Sequence, residues 1–393
     1  MLKICVLINS LTLGGAERLA VDLYEEYKQK GIHVIFVCLE KNNFYNIRSG
    51  KVYYLSDQTG NDEGLFKKLL YLFISAIRLK KLLKKHEITM VQSHIYRANY
   101  VNVIAKLLGS HHKTQLVNHG IVSRYKTENL AGWVNLWLIK LLYKKSDQLI
   151  FPSNGMMQDL KKWGEFKNDM IVINNPFDVE GILNLKDASI NPEDFVFDQN
   201  KKYLVAAGRL EKVKCFPDII SAVGLLKKNG FDIELIILGD GPERANIQAL
   251  ISYLNLQGNV HLLGRVGNPF KYITRSDILI SASEYEGFSN VIVEAFIVGT
   301  AVISTDCESG PREILAPETD ARIKLKPNEI ENAQFGVLVP VNDPETLAKA
   351  VKALLEDQDR LAWYSKNGIS RAKEFDKSVI SEKYIKSFNA LLE

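Results

Sequence analysis

A chain of 393 residues is too long for one ordinary core, so two domains are expected. Hydrophobic content of 46% with 24% charged residues describes a globular chain and excludes a disordered one, and at a net charge of only +4 no nucleic-acid partner is expected. The cysteines, Cys5, Cys38, Cys215 and Cys307, lie far apart with no CxxC pair, which argues against a disulfide framework or zinc site and suits a reducing cytosol.

The opening "MLKICVLINS" has a charge and a short apolar run, but Asn9 ends it too early for a signal peptide. "KICVLIN" reads as a strand and "SLTLGG" as a loop. From Ala16 to Lys30, apolar Ala16, Leu19, Ala20, Leu23, Tyr24 and Tyr27 follow a helical period that Gly31 stops. "HVIFVCL" is a second strand, parallel to the first through a right-handed crossover. Between Lys67 and Lys85 stand seven basic residues and no acidic one, with Phe66, Leu69, Leu70, Phe73 and Ile77 on one stripe. "TMVQSH", "TQLVNHG" and "QLIFPSN" each predict a strand ending in a polar loop. Between the last two, "LAGWVNLWLIKLLYKK" sets Trp133 and Trp137 near Lys140, Lys144 and Lys145. Both basic segments suit an anionic membrane surface, and equally a core helix with a solvated rim. No uncharged apolar stretch approaches the ~18 residues needed to span a bilayer.

From about Asp178 to Lys202 the periodicity is lost and Asp, Asn and a proline collect, which reads as a linker. A second strand set follows: "KKYLVAAGRL", "IELIILGDGP", "NVHLLGRV", "DILISAS" and "TAVISTD", with helical segments between. The architecture predicted is α/β: two doubly wound domains, 1–180 and 181–375, whose strand ends would face each other across a cleft. The final amphipathic stretch, 376–393, can pack on either domain, including back on the first.

Three polar features interrupt these runs. In "LTLGGAER", Gly14 and Gly15 directly precede a helix, where free N–H groups favour an anion; a tight turn is the simpler reading. The third glycine of a dinucleotide fingerprint is missing. In "GRLEKVKCF", Arg209 and Lys214 follow a strand and precede a helix, a place to neutralise a diphosphate, or to make surface salt bridges. In "SEYEGFSNVIVEA", Ser289 can cap a helix running to Gly299, with Glu286 on the loop and Glu294 among residues that are apolar all round. A carboxylate there needs a polar partner, such as the diol of a ribose, or water.

With "GGAER" (14–18), "NHG" (118–120), "PSN" (152–154), "NNPFD" (174–178), "GRLEKVK" (208–214), "GDGPER" (239–244) and "EGFSNVIVEA" (286–295), the chain resembles glycosyltransferase family 4 over nearly its whole length. The Glu-x7-Glu spacing of Glu286 and Glu294 is the most specific element. The resemblance implies the GT-B fold and a retaining enzyme with a nucleotide-sugar donor, UDP-linked, needing no cofactor or metal. Glu294 would hold the ribose hydroxyls. Glu286 would contact the donor sugar with the backbone of Gly287, Phe288, Ser289 and Asn290. Arg209 and Lys214 would hold the diphosphate, with Gly15 closing over it. His119 would contact the donor sugar and help stabilise developing charge, and the backbone from Gly264 to Val266, at Arg265, would meet the base. Glu17 and Asn175 are expected on the acceptor side, as is His94, for which a structural histidine is an equal reading.

Cys215 stands where the family often has glycine or asparagine, and "SGPREIL" (309–315) leads into a longer insertion, a weak pointer to UDP-N-acetylhexosamines. The acceptor implied is a cell-surface or lipid-linked glycan, as in polysaccharide, lipopolysaccharide or capsule synthesis. The expected location is cytoplasmic, with peripheral attachment to the membrane. "DQD" (357–359) reads as a solvated helix face, and His111 and His112 carry no ligand spacing for a metal. The rival readings are an NAD-dependent oxidoreductase and a non-catalytic glycan-binding or membrane-docking protein, which would have no need of Arg209, Lys214, Glu286 and Glu294 together.

Overall fold

The computed structural model describes residues 2–12, 14–42, 47, 49–56, 65–127 and 130–393, without the side chains of 65, 66 and 127. It divides into two compact units: Met1–Phe177 with Asp376–Glu393, and Asp178–Phe375. The first unit runs β1 (Lys3–Ile8), α1 (Gly15–Gln29), β2 (His33–Glu40), β3 (Val52–Ser56), α2 (Leu65–Lys85), β4 (Met90–His94), α3 (Tyr96–Leu107), β5 (Lys113–Val117), α4 (Leu130–Leu142), β6 (Gln148–Phe151), α5 (Asn154–Lys161) and β7 (Asp169–Val172). The second opens with α6 (Val179–Lys186), β8 (Lys202–Ala207), α7 (Phe216–Lys228), β9 (Ile233–Leu238), α8 (Arg244–Tyr253), β10 (Val260–Gly264) and α9 (Phe270–Ile273). It continues with β11 (Ile278–Ser281), α10 (Asn290–Val298), β12 (Ala301–Thr305), α11 (Pro311–Leu315), β13 (Glu331–Asn332), β14 (Val337–Val339), α12 (Pro344–Glu356) and α13 (Gln358–Ala372). The last helix, α14 (Lys377–Leu392), belongs to the first unit.

Each unit is built on one sheet, ordered β3-β2-β1-β4-β5-β6-β7 in the first and β10-β9-β8-β11-β12-β14-β13 in the second. Among the described residues only the short β13 is antiparallel to its neighbour. Both units are therefore doubly wound, as the alternation of strands and helices predicts. The strands read as continuous apolar runs because helices cover both faces. In the first unit α1 lays Leu19, Leu23 and Tyr27 on one face, where Ile380, Tyr384 and Phe388 of α14 join them. The other face takes Leu72 and Leu79 of α2, Val101 of α3 and Leu136 of α4.

The segment expected to be a linker is in part a helix. Asp178 caps α6, its Oδ1 accepting from the Gly181 amide at 3.2 Å, and α6 packs on α9 and α10. Eight residues make barely two turns, too few for a legible period.

The basic helix α2 buries Leu72, Ala76, Leu79 and Leu83 and leaves Leu69, Leu70, Phe73, Ile74 and Ile77 exposed. The expected apolar stripe is thus the outward one; the Phe66 side chain lies outside the described residues. On α4, Leu130, Trp133, Trp137 and Leu141 are also exposed, with the two tryptophans at 52% and 60%. Both helices flank α3. A cleft of about 490 Å³ between β3 and α2 is lined by Tyr53, Tyr54, Ser56, Arg78, Lys81 and Lys85, at the sheet edge. Among the described residues no helix is long and apolar enough to cross a membrane.

Candidate active site

Open parallel sheets bind ligands at the carboxyl ends of their strands, where the strand order reverses. In the second unit that point lies between β8 and β11. The loops leaving these strands carry Lys214 and Glu286, whose Nζ and Oε1 are 2.6 Å apart. The Ser283 hydroxyl donates to the same oxygen at 2.7 Å. The Lys214 and Glu286 side chains keep 27% and 10% of their exposure, so the pair is ordered yet open to an incoming anion.

Local backbone geometry puts Lys214 there. The 3₁₀ turn Lys212–Lys214 ends on Cys215 at φ 46°, ψ 39°, the left-handed region. That conformation costs a residue with a Cβ about 1–2 kcal/mol, which is the physical reason glycine or asparagine suits the position. Gly239 has φ 144°, and a Cβ on it would lie 1.9 Å from the Gly208 carbonyl oxygen. Only glycine lets this loop lie against the next. The Leu210 amide donates to the Asp240 carbonyl at 3.1 Å and the Gly239 amide to the Gly264 carbonyl at 2.7 Å. The loops after β8, β9 and β10 are thereby laced into one floor, with Arg265 exposed just beyond β10.

Arg209 does not meet Lys214 in this structure. It is 70% exposed and its guanidinium pairs with Glu211 at 3.2 Å, the surface salt bridge that is the simpler of the two readings. An exposed arginine has rotamer freedom and settles on the nearest carboxylate, a pairing worth little. Ser289 departs from the expected cap. It stands at the N-cap of α10 with φ 71°, ψ 68° and makes no cap bond, and its buried Oγ has no partner. Side-chain capping requires an extended backbone at the cap, and this one is left-handed. Leaving such a hydroxyl unpaired costs about 1–3 kcal/mol, unless something polar arrives. Glu294, half-buried within α10 between the fully buried Val293 and Ala295, is not an orphan.

The loop 286–290 is held from below. Ser309 Oγ donates to the Gly287 carbonyl at 3.0 Å, and Phe288 packs edge-on to Phe375 at 5.6 Å. Gly310, at φ 90°, approaches so closely that a Cβ would lie 2.5 Å from the Phe288 carbonyl oxygen. Two residues on, Arg312 forks onto Asp306 at 2.9 and 2.7 Å and reaches Glu331 at 2.8 Å. Burial opposes its charge, but the hydrogen bonds it donates to Asp306 and Glu331 outweigh that and hold the guanidinium above its usual pKa. This support was invisible in the sequence, because its members stand 6 and 19 residues apart with no local pattern.

In the first unit the strand order reverses between β1 and β4. Gly14 and Gly15 follow β1, and Gly15 is the exposed first residue of α1. Glu17 folds back against Gly14, accepting from Thr12 Oγ1 at 3.0 Å, so this helix start already carries a carboxylate. His94 ends β4 and His119 follows β5; their rings stack, with Nδ1 of His94 3.1 Å from Nε2 of His119. Burial lowers the His119 pKa to about 4, and burial with the neighbouring His119 drives His94 well below the ordinary range. Ile95, next in the chain, has φ 70°, a strained conformation for a β-branched residue. Asn175 lies in the loop beyond β7, at the sheet edge, half-buried.

Two set-aside signals have structural roles. Asp357 of "DQD" caps α13, accepting from the Arg360 amide at 2.9 Å. His112 is buried between Ser110 Oγ and Asn102 Oδ1, both at 2.9 Å.

Residues 13–180 match the family model described as Glycosyltransferase Family 4, and residues 187–371 match that of Glycosyl transferases group 1. The N-acetylgalactosamine-N,N'-diacetylbacillosaminyl-diphospho-undecaprenol 4-alpha-N-acetylgalactosaminyltransferase of Campylobacter jejuni is 30% identical over 390 residues, spanning 98% of this chain and 99% of its own. The N-acetyl-alpha-D-glucosaminyl L-malate synthase of Bacillus anthracis is 22% identical over 355 residues, 88% of this chain and 86% of its own. Among solved structures, Anabaena HepE in complex with UDP aligns with a TM-score of 0.76 over 99% of this chain and 100% of that one, at 19% identity. That last likeness carries the GT-B fold of two Rossmann-like domains.

Proposed function

The chain belongs to glycosyltransferase family 4, and from that premise we propose that it moves a sugar from a UDP-sugar to a lipid-linked or cell-surface glycan, with retention and without a metal ion. The observation that carries this reading is the Lys214–Glu286 pair at the strand-order reversal of the second unit. A cation and a carboxylate side by side serve the two halves of a donor, its diphosphate and its sugar hydroxyls. Ser289 supports the same reading, since its unpaired hydroxyl opens the helix that bears Glu294.

In the proposed reaction the bond from the anomeric carbon to the diphosphate oxygen lengthens to an oxocarbenium-like transition state. The acceptor hydroxyl attacks from the side the diphosphate is leaving, and its proton passes to a departing phosphate oxygen. Negative charge therefore grows on the diphosphate, and Lys214, with Arg209 swung back from Glu211, lowers that cost. Glu294 takes the ribose hydroxyls. Glu286 and the backbone of Gly287 to Asn290 hold the sugar, and the backbone around Arg265 meets uracil. His119 is assigned to the donor sugar, and Gly15, Glu17, His94 and Asn175 to the acceptor side or the closing over of the diphosphate. The Campylobacter jejuni relative, named for N-acetylgalactosamine transfer to a diphospho-undecaprenol-linked glycan, supports a UDP-N-acetylhexosamine donor and a polyprenyl-linked acceptor.

Calorimetry with UDP, with and without EDTA, tests the donor assignment. UDP is expected to bind in both conditions to the wild type and to lose binding in Glu294→Ala. Dependence on a metal, or binding of NAD in place of UDP, overturns it.

The proposed location is the cytoplasmic face of a membrane. Its support is the exposed apolar residues of α2 and of α4, together with the exposed Lys67, Lys68, Lys84, Lys85, Lys144 and Lys145. Basic residues bordering Trp and Leu fit an anionic lipid interface. The expected result is co-sedimentation with vesicles containing anionic lipid, weakened by high salt and by Trp133→Ala with Trp137→Ala. Equal sedimentation with neutral vesicles, or indifference to both treatments, counts against attachment by this face.

A further inference from the structure

A row of polar side chains crosses the sheet of the first unit at a single register level. Gln92 of β4 stands opposite Gln115 of β5, Gln115 opposite Gln148 of β6, and Gln148 opposite Asp169 of β7. The three glutamines are 0%, 0% and 1% exposed, beneath α1 and α14. Buried amides in an otherwise apolar interior are costly unless each finds a partner. Here each does. Gln148 Nε2 lies 2.6 Å from Asp169 Oδ2, Gln115 Nε2 2.6 Å from Gln148 Oε1, and Gln92 Nε2 2.8 Å from Gln115 Oε1. The line runs on through His94 Nε2, 3.3 Å from Gln92 Oε1, to the His94–His119 contact at 3.1 Å.

An amide can turn either end to its neighbour, so such a row could run in two directions. Two anchors leave one. A carboxylate only accepts, so Gln148 turns its NH₂ to Asp169. Independently, Ser387 of α14 donates its hydroxyl proton to the Tyr384 carbonyl at 2.8 Å. Its oxygen then accepts from Gln115 Nε2 at 2.9 Å. Both anchors orient the row the same way, and each amide passes the direction on. Gln92 therefore shows an oxygen to His94, whose Nε2 must be N–H and whose Nδ1, in a neutral ring, is a lone pair. That lone pair requires N–H on Nε2 of His119.

We infer that this glutamine row sets the tautomer of His119, placing its proton on Nε2 and leaving Nδ1 as a hydrogen-bond acceptor for a sugar hydroxyl. The contact with a sugar hydroxyl rests on the proposed assignment of His119 to the donor sugar; the tautomer does not. Burial keeps both rings neutral, as the lowered pKa values require. An imidazole in this state meets a polyol through a lone pair, and the same negative end of the ring suits a positively charged sugar in the transition state. Gln92, Gln115, Gln148, Asp169 and Ser387 are on this account positioning residues, acting through His94.

The test is nitrogen NMR of the full chain, selectively labelled with ¹⁵N-histidine, at neutral pH without ligand. His119 is expected as a single neutral tautomer, protonated at Nε2 and unprotonated at Nδ1. In Gln92→Met, which removes the acceptor for His94, signals of both His119 tautomers are expected. If Gln92→Met does not fold, Asp169→Ala with Ser387→Ala removes both anchors and should give the same mixture. A wild-type His119 protonated at Nδ1, or a single Nε2–H tautomer persisting in these variants, overturns the inference. Failure to bind UDP with this tautomer pattern intact would remove the donor reading alone.

Discussion

Lys214→Ala is expected to slow turnover about 10²–10³-fold, roughly 2.7–4 kcal/mol in the barrier, measured as kcat with a saturating UDP-sugar. The effect is electrostatic. In the proposed reaction the charge that develops is on the departing diphosphate, and a preorganised cation is worth most where charge grows. Lys214 is preorganised by Glu286 at 2.6 Å and by the turn that ends on left-handed Cys215. The pairing adds a second consequence. Without Lys214 the Glu286 carboxylate, only 10% exposed, keeps Ser283 but loses its cation. Glu286→Gln separates the two effects, since it spares the cation while removing the carboxylate's charge. A kcat fall in Lys214→Ala much larger than in Glu286→Gln assigns the loss to the diphosphate. Near-normal turnover in Lys214→Ala would sink the assignment.

Arg312→Met is expected to destabilise the second unit by about 3 kcal/mol, read from chemical denaturation followed by a probe in that unit. The Arg312 and Asp306 side chains are 4% and 0% exposed, so losing the guanidinium strands a buried carboxylate. Lys324 Nζ at 3.5 Å and the Leu325 amide at 3.0 Å still face Asp306, which places the cost at the low end for a broken buried pair. Adding Asp306→Asn should recover part of the loss, because the stranded charge disappears. Donor binding should weaken as well, since Ser309 and Gly310 brace the backbone of Gly287 and Phe288. A loss under about 0.5 kcal/mol, the range of ordinary surface substitutions, would show that the triad carries no load.

Much of the fold was legible because strands covered on both faces are written as unbroken apolar runs, and "KICVLIN", "HVIFVCL" and "IELIILGDGP" each contain one. What was not legible had too little length or the wrong backbone. Helix α6 has two turns, so the segment after Asp178 resembled a linker. Ser289 has the side chain of a cap, but at φ 71° it cannot act as one, and no sequence pattern announces a left-handed serine. The exposed stripe of α2 was visible as a stripe, while its outward direction depended on Leu72, Ala76, Leu79 and Leu83 reaching the core first.

By itself the sequence determined most of the longer strands, the doubly wound class and the charged residue types of the site, since local periodicity and side-chain chemistry are properties of short segments. Only the tertiary structure decided which of those charges meet. Lys214 and Glu286 are 72 residues apart and become neighbours because the strand order reverses between β8 and β11. Arg209, five positions before Lys214, is turned instead to Glu211. Gln92, Gln115, Gln148 and Asp169 look unremarkable in their own strands and form one hydrogen-bonded row only because the register sets them level. Register and strand order arise from long-range pairing, and no short window of sequence contains them.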